Sequence, residues 1–237
     1  MPVKTWIGSE LNPMDGLFTL NEACLSEIGN AVSLIRDNPL PLLMPRPSNF
    51  YMPKCKELIN NVFDCLENGF GFCLLDRLPL EDMTVNEAKS IYWLLSQMLG
   101  RPVAQKWCDG RMLYSVTDLG RPSGNGVRPD VTNEEQSFHS DNSYNICPPN
   151  IVGLLCLQPS MSGGLSRVVN MKTILEKMEI TNKTHIQRLY RPFVFDRQKE
   201  HSEWDPATLE NPILSLNEDG VRIRVSRNLI YQGYALR

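Results

Sequence analysis

Hydrophobic positions recur at helical spacing in several stretches of the chain, which predicts amphipathic helices. Helices are expected over four ranges: 54–68, 85–99, 171–178 and 183–189. Gly69 follows the first range as a stop, because glycine commonly ends a helix. The second helix begins with a capping box, since Thr84 is followed three residues later by Glu87. Gly100 then closes that helix.

Short apolar runs bounded by turn residues predict β-strands in other parts of the chain. They fall over eight ranges: 70–75, 111–117, 136–145, 151–157, 165–170, 192–195, 213–216 and 221–226. Asp219-Gly220, between the last two ranges, has the composition of a hairpin turn. Short strands at this spacing favour an antiparallel sandwich or barrel.

Two segments show neither the helical spacing nor the short apolar runs of strands over most of their length. Residues 1–53 hold seven of the 17 prolines, which predicts an irregular segment that wraps the surface. Residues 119–135 are rich in glycine, proline and polar residues. A loop of that length is either a lid or binding loop, or a disordered surface loop. At 237 residues the chain can bury a sizeable core, and we expect one domain over 1–237 with its core in 54–237.

Composition narrows the classes of function. The net charge is −3 and the sequence has no cluster of lysines or arginines, so we do not expect a nucleic-acid partner. We expect the partner to be a small molecule or a protein. The seven cysteines form no Cys-x-x-Cys pair, which indicates free thiols in a reducing compartment. Neither a signal peptide nor a run long enough to cross a membrane is evident, so we expect a cytoplasmic protein with no membrane partner. The sequence does not indicate an oligomeric state.

The pentapeptide Phe138-His139-Ser140-Asp141-Asn142 indicates a specific chemistry. On an extended strand, residues two apart leave the same face, so His139 and Asp141 can reach one metal ion. An imidazole and a carboxylate are two of the three ligands of the 2-His-1-carboxylate triad, which holds non-haem Fe(II) and leaves positions open. The alternative is a strand histidine that makes only structural hydrogen bonds.

The segment 137–170 resembles the taurine dioxygenase/TfdA-like family of Fe(II)- and 2-oxoglutarate-dependent oxygenases. Members of that family share the clavaminate synthase-like double-stranded β-helix fold. The likeness rests on four pieces of sequence: FHSDNSY, Pro-Pro-Asn followed by IVGLLCLQPS, SGGLS leading into RVVN, and NEDGVRIRVSRNLI. The resemblance extends more weakly back to about Phe70.

The resemblance implies a fold, an activity and a set of site residues. The fold would be mainly β with flanking helices (α+β), built on a double-stranded β-helix (jelly-roll) core that is incomplete at the C-terminus. Iron would be held by His139 and Asp141. Ser166, two residues past Gly163-Gly164 and 27 after His139, would bind a carboxylate of 2-oxoglutarate, although a plain turn residue is the alternative. Such an enzyme uses O2 to oxidise a small organic substrate while 2-oxoglutarate becomes succinate.

The chain also departs from the family pattern. A distal histidine and a following arginine are expected well beyond the NEDG hairpin, yet the sequence ends at Arg237, 17 residues past Gly220. We therefore expect the N-terminal part of a longer family member. His185 and His201 are alternative third ligands, although a surface position is the simpler interpretation of each.

Three arginines follow the hairpin: Arg222, Arg224 and Arg227. They could form a carboxylate clamp, but a solvated strand face is the expectation.

Three further residues are candidates for the wall of a substrate pocket: Tyr114, Asn142 and Tyr144. For each, core or strand-edge packing is the alternative.

Two other functions stay open. A truncated, non-catalytic relative would act as a binding protein or have no activity. A cupin-like metal enzyme without 2-oxoglutarate would require Ser166 to be remote from the metal.

Overall fold

A computed structural model of the chain contains helices and short pairs of strands. They form where the apolar face of one element packs against another element. The structure describes residues 4–106, 109–122, 129–217 and 220–237. Within these residues the helices are α1 (Glu22–Asp37), α2 (Pro53–Asn68), α3 (Val85–Leu99), α4 (Met171–Thr181), α5 (Lys183–Leu189) and α6 (Arg227–Ala235). The strands are β1 (Leu17–Thr19), β2 (Leu74–Asp76), β3 (Pro192–Asp196), β4 (Thr208–Pro212), β5 (Leu214–Asn217) and β6 (Gly220–Ile223).

The chain divides into two units. The first comprises Met1–Pro102 and Gly153–Ile174, and the second comprises Val103–Val152 and Leu175–Arg237. That residues 1–237 form one domain stays a prediction.

The first unit is built on α1, α2 and α3. Their apolar faces meet in a core whose most deeply buried members are Ile28, Cys55, Ile91 and Leu94. Burial of each such aliphatic side chain contributes about 1.5–3 kcal/mol. β1 pairs in parallel with β2 in the same unit. The predicted helices α2 and α3 are confirmed, and the Thr84 and Glu87 side chains each accept the other's backbone N–H.

Helix α1 corrects the expectation that residues 1–53 are irregular. The side chain of Asn21 accepts the N–H of Cys24 and so caps the helix. Its buried face consists of Cys24, Ile28, Ala31 and Val32. Those positions follow helical spacing but carry mostly small side chains, so the hydrophobic pattern of the helix is weak. The prolines beyond Asp37 therefore led to the prediction of an irregular segment.

The second unit contains two antiparallel strand pairs. β3 pairs with β4, and β5 pairs with β6 so that Leu214 lies opposite Ile223. The predicted hairpin is present, with Asn217 opposite Gly220, while its turn residues Glu218 and Asp219 lie outside the described residues. Phe195 of β3, Leu214 of β5 and Leu229 of α6 form the second core. It also includes Ile213, which lies between β4 and β5, and Tyr144, which lies in the turn at 141–144.

Several predicted strands are absent from the described residues. The segments 111–117, 151–157 and 165–170 run without strand structure, and 136–145 makes only a single bridge. A strand needs a continuous ladder of hydrogen bonds to a neighbour, and in the described parts of the chain these segments make at most isolated ones, such as that from the Thr117 N–H to the Asp130 carbonyl. Their side chains stay exposed accordingly, as at Leu154 and Leu165. The predicted strand 70–75 is also displaced to β2, where Leu74 is exposed rather than buried.

The described elements are helices and small two-stranded sheets, which together make an α+β arrangement. They do not by themselves form a double-stranded β-helix, so the jelly-roll core stays a prediction. None of the described helices combines the length and the apolar character that crossing a membrane would require.

A paired carboxylate joins α1 to α3 in the first unit. The Arg36 guanidinium donates through Nε to Glu87 Oε1 at 2.6 Å and through Nη2 to Glu87 Oε2 at 3.1 Å. The hydrogen bond from Arg36, together with that from the Thr84 backbone, lowers the pKa of the Glu87 carboxyl to about 2. The ionised carboxylate also lies in the first turn of α3, where a negative charge is favoured.

We expect Glu87→Gln to lower the stability of the protein at neutral pH and to reduce its acid sensitivity. Because the folded pKa lies below the ordinary value of 4.5, the contribution of Glu87 is present above pH 4.5 and is lost as the pH falls towards 2. Urea unfolding midpoints between pH 2 and pH 7 measure this. The exposed neighbour Glu81→Gln, which removes the same charge, is the matched control. Parallel pH profiles for both variants and the native chain would contradict the expectation.

Candidate functional site

His139 is held by contacts with the chain that follows β6. It forms an antiparallel bridge with Ser226. The N–H of Ser140 donates to the carbonyl of Val225 at 2.8 Å, and the Ser140 hydroxyl accepts the N–H of Val225 at 2.9 Å. Two successive residues of the motif are therefore fixed to two successive residues of a distant segment.

The chain turns immediately after this contact. Residues 141–144 form a turn, with the N–H of Asn145 donating to the carbonyl of Asn142 at 2.8 Å. Asn142 has a φ of 49°, a left-handed conformation that asparagine tolerates better than most residues. The predicted strand over 136–145 is therefore wrong. A bridge followed by a turn, rather than a regular strand, brings His139 and Asp141 together.

The two side chains of the motif are in direct contact. His139 Nε2 lies 3.3 Å from Asp141 Oδ1, and His139 Nδ1 lies 2.8 Å from the Ser137 carbonyl oxygen. A proton on Nδ1 donated to that carbonyl fixes the ring and directs Nε2 towards the carboxylate. The side chains are 35% and 48% exposed, so both are accessible to a ligand.

The carboxylate changes the protonation of the imidazole. The hydrogen bond that the His139 ring donates to the Asp141 carboxylate raises the pKa of His139 above its ordinary value, and the Ser137 carbonyl adds to the effect while partial burial opposes it. The pair therefore holds a proton between Nε2 and the carboxylate more firmly than an isolated histidine would. A metal ion that binds Nε2 must displace that proton, so binding weakens as the pH falls.

The donor atoms fit two neighbouring positions on one metal ion. Ligands at about 2.1 Å and at right angles lie roughly 3 Å apart, close to the observed 3.3 Å. Among the described residues, no third histidine, cysteine or acidic side chain joins the pair. His185 is exposed on α5, and His201 lies in a loop with Nδ1 2.8 Å from the Ser202 carbonyl oxygen.

Ser166 belongs to the first unit, whereas His139 and Asp141 belong to the second. It is exposed and lies two residues after Gly164, in a segment where Gly163 and Gly164 have φ of 71° and 66°. The Ser160 hydroxyl donates to the Gly163 carbonyl and stabilises that segment. The predicted role of Ser166 stays a prediction.

The three candidate pocket residues occupy different surroundings. Asn142 lies in the turn next to Asp141. Tyr144 is 7% exposed and packs in the second core. The ring of Tyr114 lies beneath Lys106 Nζ, 4.4 Å from its centroid. Of the three, Asn142 alone is adjacent in sequence to a residue of the His139 and Asp141 pair.

Arg224 overturns one expectation: it was considered for a carboxylate clamp or a solvated strand face, and its contact with the turn after Asp141 was missed. A solvated strand face was expected, yet Arg224 is only 6% exposed and its Nη1 donates to the Asn145 carbonyl at 2.7 Å. Ser140 was also missed. Neither has a local sequence signal, because their partners lie 79 and 85 residues away along the chain.

Comparison with known proteins adds two findings. A model of the family "Taurine catabolism dioxygenase TauD, TfdA family" matches residues 43–228. FR-33289 synthase from Streptomyces rubellomurinus (strain ATCC 31215) is 26% identical over 209 residues, which cover 87% of this chain and 60% of that protein. The chain thus spans less than two thirds of the length of that curated relative. The family resemblance inferred from the motifs is confirmed, and the matched range includes His139, Asp141 and Ser166.

We expect Asp141→Asn to lower the pKa of His139, because the hydrogen bond that the ring donates to the carboxylate is the largest cause of the raised value. NMR titration of the His139 ring protons in the metal-free protein measures the change. Asp130→Asn, which removes the same charge at the side chain paired with Lys106, is the control and should leave the His139 curve in place. An unchanged His139 curve in Asp141→Asn would show that the two side chains are not in contact in solution.

Proposed function

The chain belongs to the taurine catabolism dioxygenase TauD, TfdA family, and on that premise we propose that it is an Fe(II)- and 2-oxoglutarate-dependent oxygenase acting on a small organic substrate. The observation that carries the proposal is the contact between His139 and Asp141. These are the two ligand types that the sequence motif predicts, and their donor atoms lie 3.3 Å apart.

In this proposal His139 Nε2 and a carboxylate oxygen of Asp141 hold the iron. The Ser137 carbonyl keeps the His139 ring oriented through Nδ1, as partners of metal-binding histidines usually do. When bound, iron supplies the oxidation chemistry that couples O2 and 2-oxoglutarate decarboxylation, with succinate and CO2 as products, to oxidation of a C–H bond. Asp141 favours hydroxylation, desaturation or ring chemistry over halogenation, since related halogenases have a small residue at that position.

We propose that the Ser166 hydroxyl donates a hydrogen bond to a carboxylate of 2-oxoglutarate. Its place two residues after Gly163-Gly164 supports this role, and the exposed hydroxyl is accessible to a ligand. A hydrogen bond to a charged acceptor contributes about 1.5–3 kcal/mol, enough to affect cosubstrate affinity.

The substrate is proposed only as a class. The relative from Streptomyces rubellomurinus is named FR-33289 synthase, which supports a role for this chain in making or modifying a small organic molecule. Asn142 is the proposed wall of the pocket nearest to the metal, because it follows Asp141 in the turn. Tyr114 and Tyr144 stay weaker candidates, since the burial of Tyr144 supports a packing role.

We expect Fe(II), added anaerobically to the full-length protein with 2-oxoglutarate, to produce a weak visible charge-transfer band that saturates. His139→Ala should reduce the apparent iron affinity about 100-fold or more, because partners outside the first coordination layer already change metal affinity by roughly 10–100-fold. His185→Ala is the matched control and should titrate like the native protein, since His185 is exposed on α5.

Either of two outcomes would sink the proposal. One is the absence of a band in the full-length protein at saturating Fe(II) and 2-oxoglutarate. The other is a band that His139→Ala and His185→Ala reduce equally, which would locate the iron elsewhere.

A further inference from the structure

We propose that Arg224 is a positioning residue that holds the turn at 142–145 and thereby places the Asp141 carboxylate beside His139. This inference rests on the proposed function, because it concerns the same pair of metal ligands. It adds a role for a residue that is far from the motif in sequence.

The position of Arg224 is set by the sheet of the second unit. It directly follows β6, and its N–H donates to the Ile213 carbonyl at 2.9 Å, which extends the pairing of β5 with β6 by one step. The side chain is buried, and its Nη1 donates to the Asn145 carbonyl at 2.7 Å. The guanidinium therefore connects a fixed backbone position to the end of the turn.

The same turn has a second anchor. The Asn211 side chain donates through Nδ2 to the Tyr144 carbonyl at 3.2 Å. Asn145 closes the turn by donating its N–H to the Asn142 carbonyl. Two successive carbonyls at the end of the turn are thus held by side chains from β4 and from the residue after β6.

Asp141 lies between two anchors that come from consecutive residues. On its N-terminal side, Ser140 is bound twice to Val225. On its C-terminal side, the turn is bound by Arg224 through Asn145. The backbone of Asp141 is therefore restrained on both sides by the segment 224–225, which limits where its carboxylate can lie relative to His139.

Stability alone does not explain an arginine at this position. Within the parts of the chain that the structure describes, no carboxylate pairs with Arg224, and its Nε has no hydrogen-bond partner. Burial lowers the pKa of its guanidinium, and the neighbouring charge of Arg222 lowers it further. A protein with a buried cation that meets only a neutral acceptor is commonly less stable than one with an apolar side chain of similar volume at that position. What the guanidinium provides is a donor with the reach and direction to meet Asn145, which the compact ammonium of lysine does not reproduce.

The test compares Arg224→Met with Arg222→Met in the full-length protein. Both remove one charge from neighbouring positions, but only the first removes the bond to Asn145. Mn(II) affinity, followed by the loss of the free-ion EPR signal, should fall roughly 10–100-fold in Arg224→Met and stay within about twofold in Arg222→Met. Hydrogen exchange of the Asn145 N–H should accelerate at least tenfold in Arg224→Met relative to Arg222→Met, while core amides of α3 exchange as before.

The outcomes separate the inference from the function on which it rests. Equal Mn(II) affinity in Arg224→Met and the native protein would overturn the inference, as would an equal loss in Arg222→Met. If Arg224→Met does not fold, Arg224→Lys keeps the charge but not the reach and direction of the donor, and an unchanged Mn(II) affinity there would overturn the inference as well. Native Mn(II) binding that survives His139→Ala would instead contradict the proposed function.

Discussion

The contact of residues 139–140 with residues 225–226 is the interaction on which the candidate site depends. A bridge between His139 and Ser226, with two hydrogen bonds between Ser140 and Val225, fixes the motif to the chain that leaves β6. Ser226 also begins α6, because its hydroxyl accepts the N–H of Leu229. The segment 224–226 therefore makes three contacts. Val225 and Ser226 hold the histidine motif, Ser226 also caps α6, and Arg224 binds the turn after Asp141.

Electrostatics within the site follow from this arrangement. Asp141 raises the pKa of His139, because the protonated ring donates to a carboxylate that lies 3.3 Å away. A metal ion would replace that proton and keep both donors in their places. The buried guanidinium of Arg224 meets a backbone carbonyl rather than a carboxylate, so it holds the turn without competing for Asp141. The contacts that restrain His139 and Asp141 thus involve backbone atoms and do not neutralise the pair.

Sequence patterns predicted those features of the molecule that depend on residues close together along the chain. The capping box and apolar spacing located α3, and His-x-Asp located two side chains that are in contact in the structure. Helix α1 was missed because its buried face is made largely of small residues, and the strands over 151–157 and 165–170 were wrong because strands need partners that periodicity does not reveal. Arg224 was misjudged for the same reason, since its burial depends on a residue 79 positions away. The family resemblance, carried by short motifs around His139, was confirmed over residues 43–228.

The central claim is that His139 and Asp141 are ligands of one iron ion. Anomalous diffraction at the iron edge, from crystals of the full-length protein grown anaerobically with Fe(II), tests it directly. The account predicts a single strong peak within bonding distance of both His139 Nε2 and an Asp141 carboxylate oxygen. A peak bound by other residues, with the imidazole and carboxylate still in contact at 3.3 Å, would contradict it.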